Sequence, residues 1–224
     1  IPAGLDYVQG RPDFAFSFAS SSGVTIFWGM LFVLAFKGVY KKLTLAQMYL
    51  ATTLSWILMC SFAAIPFVFA PYSISYTDAF FESMSGLTTS GATIYSDLTL
   101  CSNGIILWRS LLHWFGGLGI VALAMLLLPF LRIGGMQLFQ MESSDKNDKV
   151  KPRTVQVIGT ITVVYVVVTA LCVACLLLTE LDFFEALNFS MASISTGGFA
   201  PRNTSAVDLS PAAQYIIAFF FFFL

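Results

Sequence analysis

Asp78-Ala-Phe-Phe-Glu82-Ser-Met-Ser-Gly-Leu-Thr-Thr-Ser-Gly91-Ala-Thr93 and Asp182-Phe-Phe-Glu185-Ala-Leu-Asn-Phe-Ser-Met-Ala-Ser-Ile-Ser-Thr196-Gly-Gly198-Phe199 decide the fold of this 224-residue chain. Each opens on an acid and a Phe-Phe-Glu, closes on a hydroxyl residue followed by glycine, and lies between long apolar stretches. The stretch from Asp78 to Thr88 is about 16 Å long as a helix, too short to cross a bilayer. A segment that enters a membrane, ends in Thr, Ser and Gly and leaves again is how proteins build carbonyl-lined ion filters. The terminal glycines Gly91 and Gly198 stand 107 positions apart, the spacing of a duplicated unit.

Outward from these elements, composition places the chain in a membrane. It is 58% hydrophobic and 10% charged, against about 25% charged in a soluble domain. Phe14–Phe36 and Leu43–Pro71 carry no charge, Ile105–Leu131 only Arg109 and His113, and Thr154–Thr179 none. Each is long enough to span, and 211–224 reads as the start of a fifth span. Ile1 and the apolar run at Leu224 read as the ends of an internal fragment.

The basic residues set the topology. Lys37, Lys41, Lys42, Arg132, Lys146, Lys149, Lys151 and Arg153 fall in two connections, eight of the eleven Lys and Arg residues. Segments 72–104 and 180–210 hold only Arg202. By the positive-inside rule the basic loops are cytoplasmic and both duplicated elements face outward. Glu142–Lys151, polar and mixed in sign, reads as a solvated loop.

Within the elements, Asp78, Glu82, Asp182 and Glu185 are expected near helix starts, where carboxylates cap free N–H groups and meet the positive dipole end. The other end of such a half-helix projects negative potential, which favours a cation. The following Thr89-Ser90-Gly91-Ala92 and Thr196-Gly197-Gly198-Phe199 suit extended backbone lining a cavity, with hydroxyls adding oxygen ligands. Oxygen-only ligands suit an alkali cation, and no carboxylate ring for Ca²⁺ is present. Gly116-Gly117-Leu-Gly119 reads as helix packing, and Arg109 and His113 as residues near the end of a span, where Arg snorkels. Cys60, Cys101, Cys172 and Cys175 read as packing residues, since Cys172-x-x-Cys175 has no second ligand pair.

At these residues the chain resembles the Trk/Ktr/HKT superfamily of potassium transporters, in particular the TrkH-type membrane subunit. The resemblance lies in Phe80–Thr93, Trp108–Gly119, Leu131–Leu138 and Ser195–Phe199, together with the order of spans. It implies an all-α integral membrane fold of helix–pore-loop–helix units, four in the whole protein, arranged quasi-fourfold around one pore. Residues 1–42 then correspond to the end of an extra helix pair. Residues 43–151 form a first pore unit, with pore loop 77–93 and inner helix 104–140, and residues 152–224 a second, with pore loop 181–200. The selectivity filter falls on Thr89, Ser90, Gly91, Ala92, Thr196, Gly197, Gly198 and Phe199, with K⁺ held by the backbone carbonyls of Thr89, Ser90, Thr196 and Gly197. Gly91 points to potassium, because serine at that position accompanies sodium selectivity in the plant branch.

The resemblance further implies potassium uptake across the bacterial cytoplasmic (inner) membrane and a homodimer in lipid. It implies a cytosolic nucleotide-binding regulatory subunit, and neither a cofactor in this chain nor a nucleic-acid partner. Glu82 lies seven residues before Thr89 and Glu185 eleven before Thr196, so the second half-helix is expected to be about one turn longer. A coupled secondary transporter with broken helices is the alternative, but it expects inverted copies, whereas the basic loops put both on one side. An enzyme is not expected, for the chain has one His, no metal-ligand spacing, no nucleophile motif and no phosphate loop.

Overall fold

A computed structural model describes residues 1–38, 44–72, 74–131 and 147–223. All regular elements among the described residues are helical: α1 (Pro2–Val8), α2 (Pro12–Ala35), α3 (Leu45–Ala63), α4 (Ile65–Phe69), α5 (Tyr76–Leu87), a 3₁₀ turn (Leu98–Leu100), α6 (Asn103–Leu131), α7 (Asn147–Leu176), α8 (Phe183–Ile194) and α9 (Pro211–Phe223). Four apolar stretches are long enough to cross a membrane: Pro12–Ala35, Ala46–Phe69, Asn103–Ala124 and Gln156–Leu176. They fall where the uncharged runs predict them. The motif Leu131–Leu138 lies, after Leu131, outside the described residues, as do Lys41, Lys42, Arg132 and Lys146. The polar stretch read as a loop to Lys151 is in part helix, since α7 already begins at Asn147.

The second span is two helices rather than one. Pro66 has no N–H to continue the ladder, so α3 stops at Ala63 and α4 starts at Ile65. The Ala63 carbonyl instead accepts the Trp108 indole N–H at 3.1 Å, which ties the break to α6. At the other end of α3, Thr44 and Gln47 form a reciprocal capping box.

Two apolar cores flank α6. One gathers Phe14, Phe18, Cys60, Phe67 and Ala79 around α5, joined by Ile105 and Leu112 of α6. The other gathers Tyr165, Cys172, Leu176, Leu181 and Phe189 around α8, against Trp114 and Leu118 of α6. The α6 helix therefore packs on both short helices, α5 and α8. Its glycines make this close approach: a Cβ on Gly116 would overlap the backbone of Leu87, and one on Gly117 would crowd Tyr165 and Ser195. Gly119 differs, meeting only the Trp56 ring at ordinary contact distance.

The start of α6 is fixed from α1. Asp6, fully buried, accepts the Ser102 hydroxyl and the Gly104 N–H, each at 2.9 Å. Asp6 thereby satisfies one open N–H of the helix N-terminus directly and orients the Ser102 hydroxyl, which accepts a second, from Ile105, at 3.2 Å. Along α2, Ile26, Phe27, Met30, Val33 and Leu34 are exposed, an apolar surface suited to lipid.

Candidate functional site

Two short helices, built alike, make the site. Ser75 caps α5 by accepting the Asp78 N–H at 3.1 Å, and its own hydroxyl donates to the Asp78 carboxylate at 2.7 Å. Asp182 caps α8 by accepting the Glu185 N–H at 2.7 Å. Each helix is 12 residues long, and each boundary of α8 stands 107 positions after its counterpart in α5. The extra turn expected in the second element is absent. The Phe-Phe-Glu words are out of register: Glu185 is the third residue of α8 and matches Asp78, whereas Glu82 is the seventh of α5. Of the four acids expected at helix starts, Glu82 is the exception.

The closing turns match bond for bond. The N–H groups of Thr89 and Ser90 donate to the carbonyls of Gly86 (3.1 Å) and Ser85 (3.0 Å). Those of Thr196 and Gly197 donate to Ser193 (3.0 Å) and Ala192 (2.9 Å). This is the Schellman closure, whose left-handed position glycine commonly holds. Here a β-branched residue holds it twice, Thr89 at φ 55° and Thr196 at φ 54°. Such a backbone costs a non-glycine residue about 1–2 kcal/mol. Two residues on, Gly91 (φ 76°) and Gly198 (φ 90°) are left-handed again, while Ser90 and Gly197 between them are not.

The two segments abut. A Cβ on Gly91 would run into the Gly197 carbonyl oxygen, so only glycine lets the backbones come this close. Gly198 has open space where its Cβ would be. The structure therefore brings Gly91 against Gly197 and Gly198, with Thr89, Ser90 and Thr196 beside them along the chain. Ala92 continues the first segment at the surface. The Ser90 hydroxyl turns back onto the end of α5, toward the Ser85 hydroxyl at 3.1 Å, rather than outward as a further ligand. Phe199 points its ring away from the junction, 3% exposed, against α6.

A profile of the TrkH family, described as "Cation transport protein", matches residues 16–224. The chain belongs to the TrkH family of cation transport proteins. Among its relatives, the Trk system potassium uptake protein TrkI of Halomonas elongata is 37% identical over 92% of this chain and 42% of its own length. The Trk system potassium uptake protein TrkH of Escherichia coli K12 is 40% identical over 77% of this chain and 36% of its own. The crystal structure of the potassium transporter TrkH from Vibrio parahaemolyticus superposes with a TM-score of 0.84 at 30% identity, covering 97% of this chain and 44% of that one. The chain thus spans less than half the length of these TrkH-family relatives.

Behind the paired segments of this TrkH-family chain stands a cluster that sequence reasoning placed elsewhere. Arg109 does not snorkel: it is 2% exposed, and its Nε donates to the buried Glu82 carboxylate at 2.7 Å. Glu82 also accepts the Thr93 hydroxyl at 2.9 Å and the Ile94 N–H at 3.0 Å, which fastens the chain just beyond Gly91. His113, fully buried, stacks on Phe199 at 4.0 Å between ring centroids. The signal that could have found this cluster is in the sequence: two ionisable residues one turn apart in a span that has no other. The four cysteines form no disulfide, and no group of three metal-ligating side chains occurs among the described residues.

Proposed function

We propose that this chain supplies two of the four units around a potassium-conducting pore, and that K⁺ passes along the backbone carbonyls of Thr89, Ser90, Thr196 and Gly197. One observation carries the reading: the same backbone, left-handed at alternate residues, ends two capped half-helices 107 positions apart and abuts at Gly91 and Gly197. Alternation of hand along a strand turns successive carbonyls to one side, which is what a dehydrating filter needs. The C-terminal ends of α5 and α8 add negative potential there. Relatives bearing the name potassium uptake protein support K⁺ as the ion.

On this reading 1–42 closes an extra helix pair, 43–151 is the first pore unit and 152–224 the second, in a quasi-fourfold ring completed by two further units. Both pore loops face outward across the inner membrane, and the basic connections face the cytosol. The working protein is a homodimer gated by a cytosolic nucleotide-binding subunit, and it transports without catalysing a reaction or holding a cofactor. The test is ⁸⁶Rb⁺ uptake by the full-length protein in cells lacking their own potassium uptake. Gly91→Ser and Gly198→Ser should each lower uptake and K⁺/Na⁺ preference. If both variants keep wild-type uptake and preference, the filter assignment is wrong.

A further inference from the structure

Arg109 and His113 lie one turn apart on the buried face of α6 and reach both segments from behind. The first is held through Glu82, because the Arg109 Nη2 donates to the Thr93 hydroxyl at 3.0 Å while its Nε pairs with the carboxylate that also binds Ile94. The second is held through Phe199, whose ring centroid lies 4.2 Å from the Arg109 guanidinium carbon and 4.0 Å from the His113 ring centre. The Phe199 N–H also points at the His113 Nδ1, 3.5 Å away. Gly197 sits directly against the same imidazole, leaving no room for a Cβ. A single helix face thus contacts residue 93 on one side of the junction and residues 197 and 199 on the other.

Burial of an ion pair returns little net stability, because desolvation offsets the Coulomb attraction. What a buried, hydrogen-bonded guanidinium adds is direction: a planar fork and a flat cationic face fix the angle as well as the distance. We propose that Arg109 and His113 are positioning residues for ion selection, which set the height of the second filter segment relative to the first through Glu82 and Phe199. The inference rests on the filter reading above. A slip of a fraction of an ångström between the segments changes the carbonyl cage without removing any carbonyl, so discrimination suffers before throughput does.

The test uses the full-length transporter in potassium-uptake-deficient cells, with ⁸⁶Rb⁺ uptake and its inhibition by Na⁺ normalised to the amount of protein in the membrane. Arg109→Lys keeps the charge but loses the fork and the flat face, and Phe199→Leu keeps an apolar side chain but loses the ring. Each should lower K⁺/Na⁺ preference by about fivefold, the scale of one lost interaction of this kind. The double variant should fall short of the product of the two, since both cut the same link. An unchanged preference with reduced uptake would make the cluster merely structural and overturn the proposal. Should Arg109→Lys fail to reach the membrane, Phe199→Leu, which alters no charge, decides alone. The two readings fail separately: Gly91→Ser and Gly198→Ser report on the filter, and a shift there with no shift in Arg109→Lys or Phe199→Leu leaves the filter standing and the positioning role refuted.

Discussion

Thr89 and Thr196 hold the same left-handed backbone, φ 55° and 54°, each two residues beyond the last residue of a 12-residue helix. Glycine would hold that position without the steric cost, apart from the chain entropy it loses on folding. Thr89→Gly and Thr196→Gly should therefore leave the stability of the purified full-length protein, read from its melting temperature, unchanged or raised by about 1 kcal/mol at most. Transport selectivity should nevertheless fall, because a freer backbone no longer holds its carbonyls in one direction. A clear drop in stability would mean that the threonine side chains, not the turn, hold these positions.

Gly91 and Gly198 occupy matching positions but unequal surroundings. Both need a left-handed backbone, yet only at Gly91 would a Cβ strike another chain segment, the Gly197 carbonyl. Gly91→Ala should abolish ⁸⁶Rb⁺ uptake, whereas Gly198→Ala, strained by about 1 kcal/mol but not blocked, should retain part of it. Equal losses in the two variants would argue against the direct contact between segments.

A similar contrast holds along α6. Gly116 lies against the Leu87 backbone, so Gly116→Ala must push α5 away, at about 1–3 kcal/mol. Gly119 touches only the far edge of Trp56, and Gly119→Ala should be neutral or stabilising by up to about 1 kcal/mol, the helix propensity gain. Thermal unfolding in detergent distinguishes them. If both variants melt alike, the close α5–α6 approach is not what these glycines serve.

The spans were legible because an uncharged run of 20 or so residues has few alternatives, and the left-handed backbone at Gly91 and Gly198 because a hydroxyl residue followed by glycine closes both elements. The register of the two half-helices was not legible. Phe80-Phe81-Glu82 and Phe183-Phe184-Glu185 match as words, but nothing local says that one glutamate starts a helix and the other lies inside it. Only the contacts decide that: Arg109 and Thr93 for Glu82, Arg202 for Glu185. The break at Ala64 was not read, because Pro66 interrupts the helix without interrupting the uncharged run Leu43–Pro71, and the burial of Arg109 and His113 depends on partners distant in sequence.

The loops that follow the two glycine segments are joined by Asp97, which accepts the Asn203 side-chain amide N–H at 2.8 Å, while the Asn203 Oδ1 accepts the Leu98 N–H at 2.6 Å. Hydrogen bonds from Asn203, and then from Thr99, hold the Asp97 carboxyl below its ordinary range. A depressed carboxyl stabilises the fold when ionised, so its contribution is complete above the unfolded value near pH 4 and is lost as the pH falls through the folded one. The difference in melting temperature between the wild type and Asp97→Ala should be constant above about pH 5 and close on further acidification. A gap that widened in acid would reverse the sign and refute the assignment.

Glu82 and Glu185 follow the same Phe-Phe pair but should respond very unequally to removal. Glu82 is fully buried with Arg109, and Glu82→Ala would strand a guanidinium in the interior and release Thr93 and Ile94. Breaking one side of such a pair costs about 3–5 kcal/mol. Glu185 grips Arg202 through two bonds, 2.6 and 2.7 Å, but the side chains are 22% and 33% exposed. Solvent screens that pair, so Glu185→Ala should cost about 1 kcal/mol or less. Arg202 can then turn to water, an option closed to Arg109. Denaturation of the two variants in the same detergent gives the comparison directly. Equal losses would restore the register implied by the matching words and remove the 107-residue equivalence of the two helices.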